Sequence, residues 1–242
     1  EIDLLRTISH ESHNTDAEHL ESFYVSFDEV KDRRYDGMII TGAPVENMDY
    51  EVVDYWEELC RIMEWTKTNV YCTMHICWGA LAALYYHYGI PKRSLDEKLF
   101  GVFEHRALKK DSPFFRGLDD VFYVPHSRFA YVDRADIEGV PELEVMAVSD
   151  RAGVFAVKTQ DSRRFFITGH PEYDRTTLMQ EYLRDVEKGK NIALPENYFP
   201  GDDPKNEPLC TWRSSAQLMY TNWLNYYVYQ TTPYEISRVG EE

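Results

Sequence analysis

A chain of 242 residues with 43% hydrophobic content has room for one large α/β domain with a C-terminal extension and closes a substantial core. Its formal charge of −16 excludes a nucleic-acid partner, because phosphate binding needs a clustered Lys/Arg surface and none stands out. The four cysteines are too irregularly spaced for a disulfide scaffold or a zinc site, and no run approaches a membrane span or a signal pattern, so the expectation is a cytoplasmic protein with reduced thiols.

The chain opens on Glu1 instead of an initiator Met and runs at once into Ile2, Leu4 and Leu5, which reads as a fragment whose beginning is missing. His10, His13 and His19 follow in a polar stretch without a ligand-type partner pattern, so no metal site is expected. Short apolar runs that end in Gly, Pro or polar turn residues then alternate with helical patterns, as in a parallel α/β sheet. Strands are expected at Gly37 to Ile40, Val70 to Ile76 and Phe165 to Ile167; helices at Tyr50 to Trp65, Trp78 to Tyr88 and Thr176 to Lys188. Val121 to Val124, Leu143 to Val148 and Val154 to Val157 read as further strands, spaced closely enough to be partly antiparallel. Residues 1–190 are assigned to the main domain and 191–242 to an extension packed on it, beginning as a Pro/Asn/Asp-rich loop and ending in an aromatic helix from Trp212 to Tyr229.

One position carries chemistry. Cys77 sits where the strand Asn69 to Ile76 meets a helix that begins Trp78-Gly79-Ala80-Leu81. A turn of this kind presents a nucleophile at the C-terminal edge of a sheet, and the helix N-terminus behind it favours a thiolate and later an oxyanion. A cysteine alone in this setting is more often inert core, so the second half of the pattern decides. His170 and Glu172 follow the strand Arg164 to Ile167 and, in extended backbone held by Pro171, would point to one side, the carboxylate orienting the imidazole. Together they favour a Cys-His-Glu triad. Cys60, in an amphipathic helix, Cys72, inside the strand, and Cys210, in a loop, have no such setting, and His75 reads as a core histidine.

The strings Thr73 to Ala80 and Thr168 to Tyr173 resemble the homoserine O-acyltransferases of the class that shares the glutamine-amidotransferase fold. Further matches run along nearly the whole chain: Thr41 to Glu46, Tyr55 to Leu59, Phe100 to His105, Pro125 to Arg128 and Asn222 to Tyr227. The resemblance implies a flavodoxin-like, class I glutamine amidotransferase-like three-layer α/β sandwich. It also implies an acyl-enzyme on Cys77, His170 as base, Glu172 as its partner, and homoserine contacts from Lys98, Ser127 and Arg184. Backbone N–H groups of Trp78 and of the Gly42 to Glu46 loop are candidate oxyanion donors. Leu81 departs from the Gln that members often carry. The family's additional N-terminal segment, which holds the first sheet strand, is absent, so the strand near Ile2 to Leu5 is expected to lack its central neighbour and to be frayed or displaced.

The expected activity is ping-pong acyl transfer from acyl-CoA to L-homoserine in methionine biosynthesis, with acetyl-CoA as co-substrate, no bound cofactor, and a homodimer compatible with the sequence. A glutamine amidotransferase would use the same triad, but the Lys98, Ser127 and Arg184 matches favour homoserine. A scaffold that merely keeps the fold is opposed by the intact triad. The donor follows from Glu46: the resemblance places it beside the acyl pocket, where members with Gly use succinyl-CoA and members with Glu use acetyl-CoA. Two like charges about 4 Å apart at an effective dielectric near 20 repel by roughly 4 kcal/mol, enough to turn away the distal carboxylate of succinate.

Overall fold

The computed structural model describes residues 1–9 and 23–232; His10, His13 and His19 lie outside the described residues. Seven strands form the central sheet in the order β3-β4-β9-β8-β7-β5-β6. These are β3 (Tyr35–Ile40), β4 (Val70–Ile76), β5 (Arg93–Ala107), β6 (Val121–Tyr131), β7 (Leu143–Ser149), β8 (Gly153–Thr159) and β9 (Arg164–Ile167). The β3-β4-β9 section is parallel and every other pairing is antiparallel, as the close spacing of the later apolar runs predicts. Two further strands, β1 (Leu4–Arg6) and β2 (Tyr24–Ser26), pair in parallel with each other, apart from this sheet. The strand near Ile2 to Leu5, expected to lack its central neighbour and to be frayed or displaced, pairs with β2 and not with the central sheet.

Among the described residues the helices are α1 (Phe27–Val30), α2 (Trp56–Asn69), α3 (Trp78–Tyr88), α4 (Arg134–Glu138), α5 (Thr177–Glu187) and α6 (Arg213–Trp223), which continues as a π-helical turn over Leu224–Tyr229. Strand period sorts the two faces. From β4 and β9, Cys72, Met74, Ile76, Phe165 and Ile167 join Met219, Trp223, Tyr227 and Val228 of the C-terminal helix. On the opposite face Phe166 packs with Leu59 and Met63 of α2 and Ala80 to Leu84 of α3. His75 belongs to that face: it is buried, stacks on Phe166 at 5.2 Å, and its Nδ1 lies 3.1 Å from the Phe165 carbonyl, which makes it the core histidine expected. The apolar run Trp78 to Leu84 of α3 is buried outright, its last turn Tyr85 to Tyr88 is half-buried, and the helix stops where Gly89 takes the left-handed conformation (φ 68) that its missing Cβ permits.

Two expectations need correction. The helix expected from Tyr50 is a short 3-10 turn, Tyr50–Val52, followed by extended backbone at Val53 before α2 starts at Trp56. Tyr50 is pulled inward to stack between Trp56 and Tyr85, which a continuous helix would not allow. The longest strand, β5, has no counterpart among the expected elements; its first half is charged and exposed, and only Leu99 to Phe103 is a buried run.

β5 and β6 hold a polar row inside the core. The Arg128 side chain, 3% exposed, donates to the carbonyls of Ala130 and Ala152, each at 2.6 Å, and through Nε to His126 Nδ1 at 3.3 Å. His126 Nε2 lies 3.1 Å from His105 Nε2, and His105 Nδ1 lies 2.9 Å from the Phe103 carbonyl. A guanidinium only donates and a carbonyl only accepts, so with both rings neutral the row has one direction: Arg128 to His126, His126 to His105, His105 to Phe103.

The segment after α5 is strapped onto β5. Glu196 N donates to the Phe100 carbonyl at 2.8 Å, and Val102 N to the Glu196 carbonyl at 2.9 Å. Tyr198, Phe199 and Trp212 bury themselves against Phe100, Val102 and Leu178. No helix among the described residues is long and apolar enough to cross a membrane.

Candidate active site

Cys77 closes β4 and caps α3 with φ 51 and ψ −119, a conformation costly for any residue with a Cβ and typical of a nucleophile held on a sharp strand-to-helix turn. Neighbouring contacts enforce it. Cys77 N donates to the Ile167 carbonyl of β9 at 2.7 Å, while the Cys77 carbonyl accepts from Ala80 N and Leu81 N at 3.0 and 3.2 Å. Gly79 permits the helix to approach β3 this closely: a Cβ there would lie 2.7 Å from the Thr41 carbonyl oxygen and 2.9 Å from that of Ile40. As the first helical residue, Trp78 has no N–H acceptor within its own helix, so that group is open to an oxyanion beside the thiol.

His170 and Glu172 do not sit on extended backbone. β9 ends at Ile167, and His170-Pro171-Glu172-Tyr173 is a turn closed by Tyr173 N donating to the His170 carbonyl at 3.1 Å. Pro171 occupies the second position of that turn, where its fixed φ is favoured. The side chains still converge. His170 Nδ1 and Glu172 Oε1 are 2.6 Å apart, with the imidazole 7% exposed and the carboxylate open to solvent. Behind the turn, His170 N donates to the Pro125 carbonyl of β6 at 2.8 Å.

Cys77 and His170 meet over Gly42. A Cβ built on Gly42 would stand 3.1 Å from Cys77 Cβ and 3.6 Å from His170 Cε1. Burial disfavours the charged imidazolium, yet the adjacent Cys77 sulfur, as charge and hydrogen-bond partner, and then Glu172 outweigh it and hold the His170 pKa up at about 10. The arrangement sets the imidazole between the Cys77 sulfur and a carboxylate that fixes the ring from the Nδ1 side.

A polar cluster lies next to the triad. Tyr173 stacks on His170 with ring centroids 4.1 Å apart and donates its hydroxyl to Glu181 Oε1 at 2.7 Å. The other oxygen of Glu181 accepts from Lys98 Nζ at 3.2 Å and from Ser127 Oγ. Lys98 also lies 3.7 Å from Asp185, and Arg184 donates to Asp185 at 3.1 Å. Lys98 on β5, Ser127 on β6 and Arg184 on α5 are thus gathered about one pair of carboxylates, Lys98 and Ser127 in direct contact with Glu181 and Arg184 on Asp185. Glu181, Asp185 and Tyr173 are not among the residues that sequence reasoning singles out. Their signal was the i, i+3, i+4 placement of Glu181, Arg184 and Asp185 on one face of a helix.

Glu46, half-buried, stands in the loop that leaves β3 through Gly42, and its carbonyl accepts from Lys92 Nζ at 2.7 Å. Cys60 and Cys72 are held away from reactivity by burial, which pushes their thiols up to about 11 and about 12. Among the described residues no group of three or more His, Cys, Asp or Glu side chains is arranged to hold a metal ion.

Solved structures share the architecture. A glutamine amidotransferase from Thermotoga maritima superimposes with a TM-score of 0.57 at 13% identity, covering 91% of this chain and 93% of its own. One from Methylobacillus flagellatus gives 0.59 at 12% identity, covering 92% and 94%. At such identities the likeness establishes the fold, the class I glutamine amidotransferase-like α/β sandwich expected.

Sequence relatives are far nearer. A homoserine O-acetyltransferase of Geobacillus sp. (strain WCH70) is 59% identical over 234 residues, 97% of this chain and 78% of the relative. One of Methanomethylophilus alvi is 56% identical over 241 residues, 100% and 78%. One of Petrotoga mobilis is 54% identical over 238 residues, 98% and 77%. The family model described as homoserine O-succinyltransferase matches residues 1–234. The chain belongs to the homoserine O-succinyltransferase family.

Proposed function

We propose that this protein is a homoserine O-acetyltransferase that carries the acetyl group on Cys77. The observation that supports it most directly is the strained Cys77 elbow facing an imidazole that Glu172 holds at 2.6 Å. Relatives named homoserine O-acetyltransferase, 54 to 59% identical, support the substrate pair. Acetyl-CoA enters as a co-substrate and leaves as CoA, so the reaction needs no resident cofactor, and cytoplasmic acetyl-CoA sets the compartment.

In the first half-reaction the Cys77 thiolate attacks the thioester carbonyl of acetyl-CoA. The oxyanion is held by the Trp78 N–H and the Gly42 to Glu46 loop, the bond to the CoA sulfur breaks, and His170 delivers its proton to that sulfur. In the second, the homoserine hydroxyl gives its proton to His170 and attacks the acetyl carbonyl. Cys77 leaves as thiolate, which returns Cys77 and His170 to their starting state and releases O-acetylhomoserine. Glu172 keeps the proton on Nδ1 and the ring aimed at sulfur throughout. Lys98, Ser127 and Arg184 recognise homoserine, the guanidinium gripping its carboxylate and the ammonium and hydroxyl completing a site for a small zwitterion. Glu46 selects the donor. Although the family takes its description from succinyl transfer, a carboxylate at this position repels the distal charge of succinyl-CoA and leaves acetyl-CoA as the substrate.

Intact mass after mixing with acetyl-CoA is the test: a single acetyl adduct that Cys77→Ala abolishes is the expected result. Ammonia release from glutamine with no adduct would instead favour an amidotransferase.

A further inference from the structure

Lys92 lies in the link between α3 and β5, outside the triad and outside the Glu181 cluster. Its ammonium nonetheless reaches the loop that carries Glu46. Lys92 Nζ donates to the Glu46 carbonyl at 2.7 Å and to the Met48 carbonyl, and stands 4.6 Å from the centroid of the Tyr50 ring. An ammonium has three protons and no acceptor, so two carbonyls and one ring face use its full capacity.

The loop also packs Ala43 and Val45 against the core and is held at both ends. At one end Gly42 packs on Cys77, as the contact of its built Cβ with Cys77 Cβ at 3.1 Å shows. At the other, Tyr50 is buried, stacked on Trp56 and Tyr85 at 5.1 and 4.6 Å and lying 6.0 Å from Trp78, the residue after the thiol. Between these points a turn closes through Met48 N donating to the Val45 carbonyl at 3.0 Å. The Lys92 ammonium spans this turn, from the Glu46 carbonyl to that of Met48. Its setting strains the charge: burial lowers its pKa, while Asp49, Glu46 and Glu51 pull it back up.

We propose that Lys92 is a positioning residue for acyl-donor selectivity: by tying the Glu46 and Met48 carbonyls it fixes the main chain on which Glu46 stands. This rests on the reading of Glu46 as the donor gate. A gate works only if its carboxylate is kept where the donor's distal charge would lie, because a like-charge repulsion falls with distance and can be escaped by a loop free to swing. Lys92 removes that freedom by holding two carbonyls of the loop at once.

The experiment compares kcat/KM for acetyl-CoA and succinyl-CoA in wild type, Lys92→Met, Lys92→Arg, Glu46→Gly and the Lys92→Met/Glu46→Gly double variant, together with KM for homoserine and Tm. Lys92→Met keeps the stem and loses the donors; it is expected to lower the acetyl-to-succinyl ratio by about tenfold or more, with the homoserine KM within about twofold of wild type. Lys92→Arg should recover most of the ratio, and Lys92→Met should change it no further once Glu46 is Gly, the non-additivity of two residues that act through one device. A merely structural lysine would lower Tm and leave the ratio alone. If Lys92→Met leaves the ratio within about twofold of wild type while Glu46→Gly moves it, the positioning role is wrong and the gate stands. If Glu46→Gly leaves it unmoved, the gate falls and this proposal with it. Should Lys92→Met not fold, Lys92→Gln, which can still reach one carbonyl, is read by the same ratio.

Discussion

At the scale of single residues, the space over Gly42 is the most exacting part of the site. A methyl group there would press on Cys77 Cβ at 3.1 Å and stand 3.6 Å from His170 Cε1, inside the gap that the proposed acyl-enzyme route needs for the acyl carbonyl. Gly42 has no positive φ to defend, so Gly42→Ala is expected to fold normally yet lose about 100-fold or more in kcat, checked by steady-state rates beside a thermal melt. A variant with kcat within a few-fold of wild type would mean that the acyl group lies elsewhere. Glu172 makes a different prediction. Its carboxylate is exposed and pairs with the far nitrogen of His170, so Glu172→Gln should lower kcat by about 10- to 1,000-fold with little change in either KM. A pure KM effect would contradict an orienting role.

At the scale of elements, β5 is where the polar cluster and the strap meet, since it carries Lys98 in the one and Gly101 under the other. Gly101 has φ 148, and a Cβ there would fall 2.4 Å from the Glu196 carbonyl oxygen and 2.5 Å from its nitrogen. Backbone cannot yield as a flexible side chain does. Gly101→Ala should therefore free the strap, lowering stability by about 2 to 4 kcal/mol and opening the 191–212 segment to limited proteolysis before the rest of the chain. Equal protection of that segment in both proteins would count against it. This strand also shows what the sequence leaves unread. β4 and α3 are legible to the residue because a buried β-rich run and a helix with an apolar first half abut at one cysteine. β5 is not, because its charged first half is shaped by pairing with β6 through an irregular register between Ser94 and Leu99, which no local pattern announces. The same holds in the site: His170 and Glu172 are two residues apart and can be found by eye. Lys98 and Glu181, or Ser127 and Glu181, meet only because the sheet and α5 bring distant positions together.

At the scale of the whole molecule, the buried histidines govern the response to pH. Burial holds His75 and His105 down at about 4 and His87 at about 3, and keeps His126 well below its ordinary value. Each pKa is lower in the folded chain than the unfolded value near 6.5, so below that pH the unfolded chain binds more protons and stability drains away as pH falls toward about 4. With four such groups the slope has an upper limit of about 5 kcal/mol per pH unit. His170 acts in the opposite sense: raised to about 10, its contribution is complete below about 6.5 and is lost as pH rises toward the folded value. Stability measured by urea titration should form a dome near neutrality, collapse on the acid side between about pH 6 and 4, and lose part of its alkaline arm in Cys77→Ala, which removes the sulfur that holds the imidazolium. A flat profile from neutrality down to about pH 5 would show that these rings are not buried neutral.

The row from Arg128 through His126 and His105 to the Phe103 carbonyl has a bearing beyond stability. With a pure donor at one end and a pure acceptor at the other, two protons are assigned to named nitrogens and neither ring is free to exchange its tautomer. The molecule thus carries a built-in spectroscopic standard. In ¹⁵N spectra, His126 should give a bare Nδ1 and a protonated Nε2, and His105 the reverse, with all four resonances stationary across the neutral range. Arg128→Met, by removing the donor that sets the direction, should release the pair into tautomeric averaging and turn four sharp, asymmetric resonances into intermediate ones.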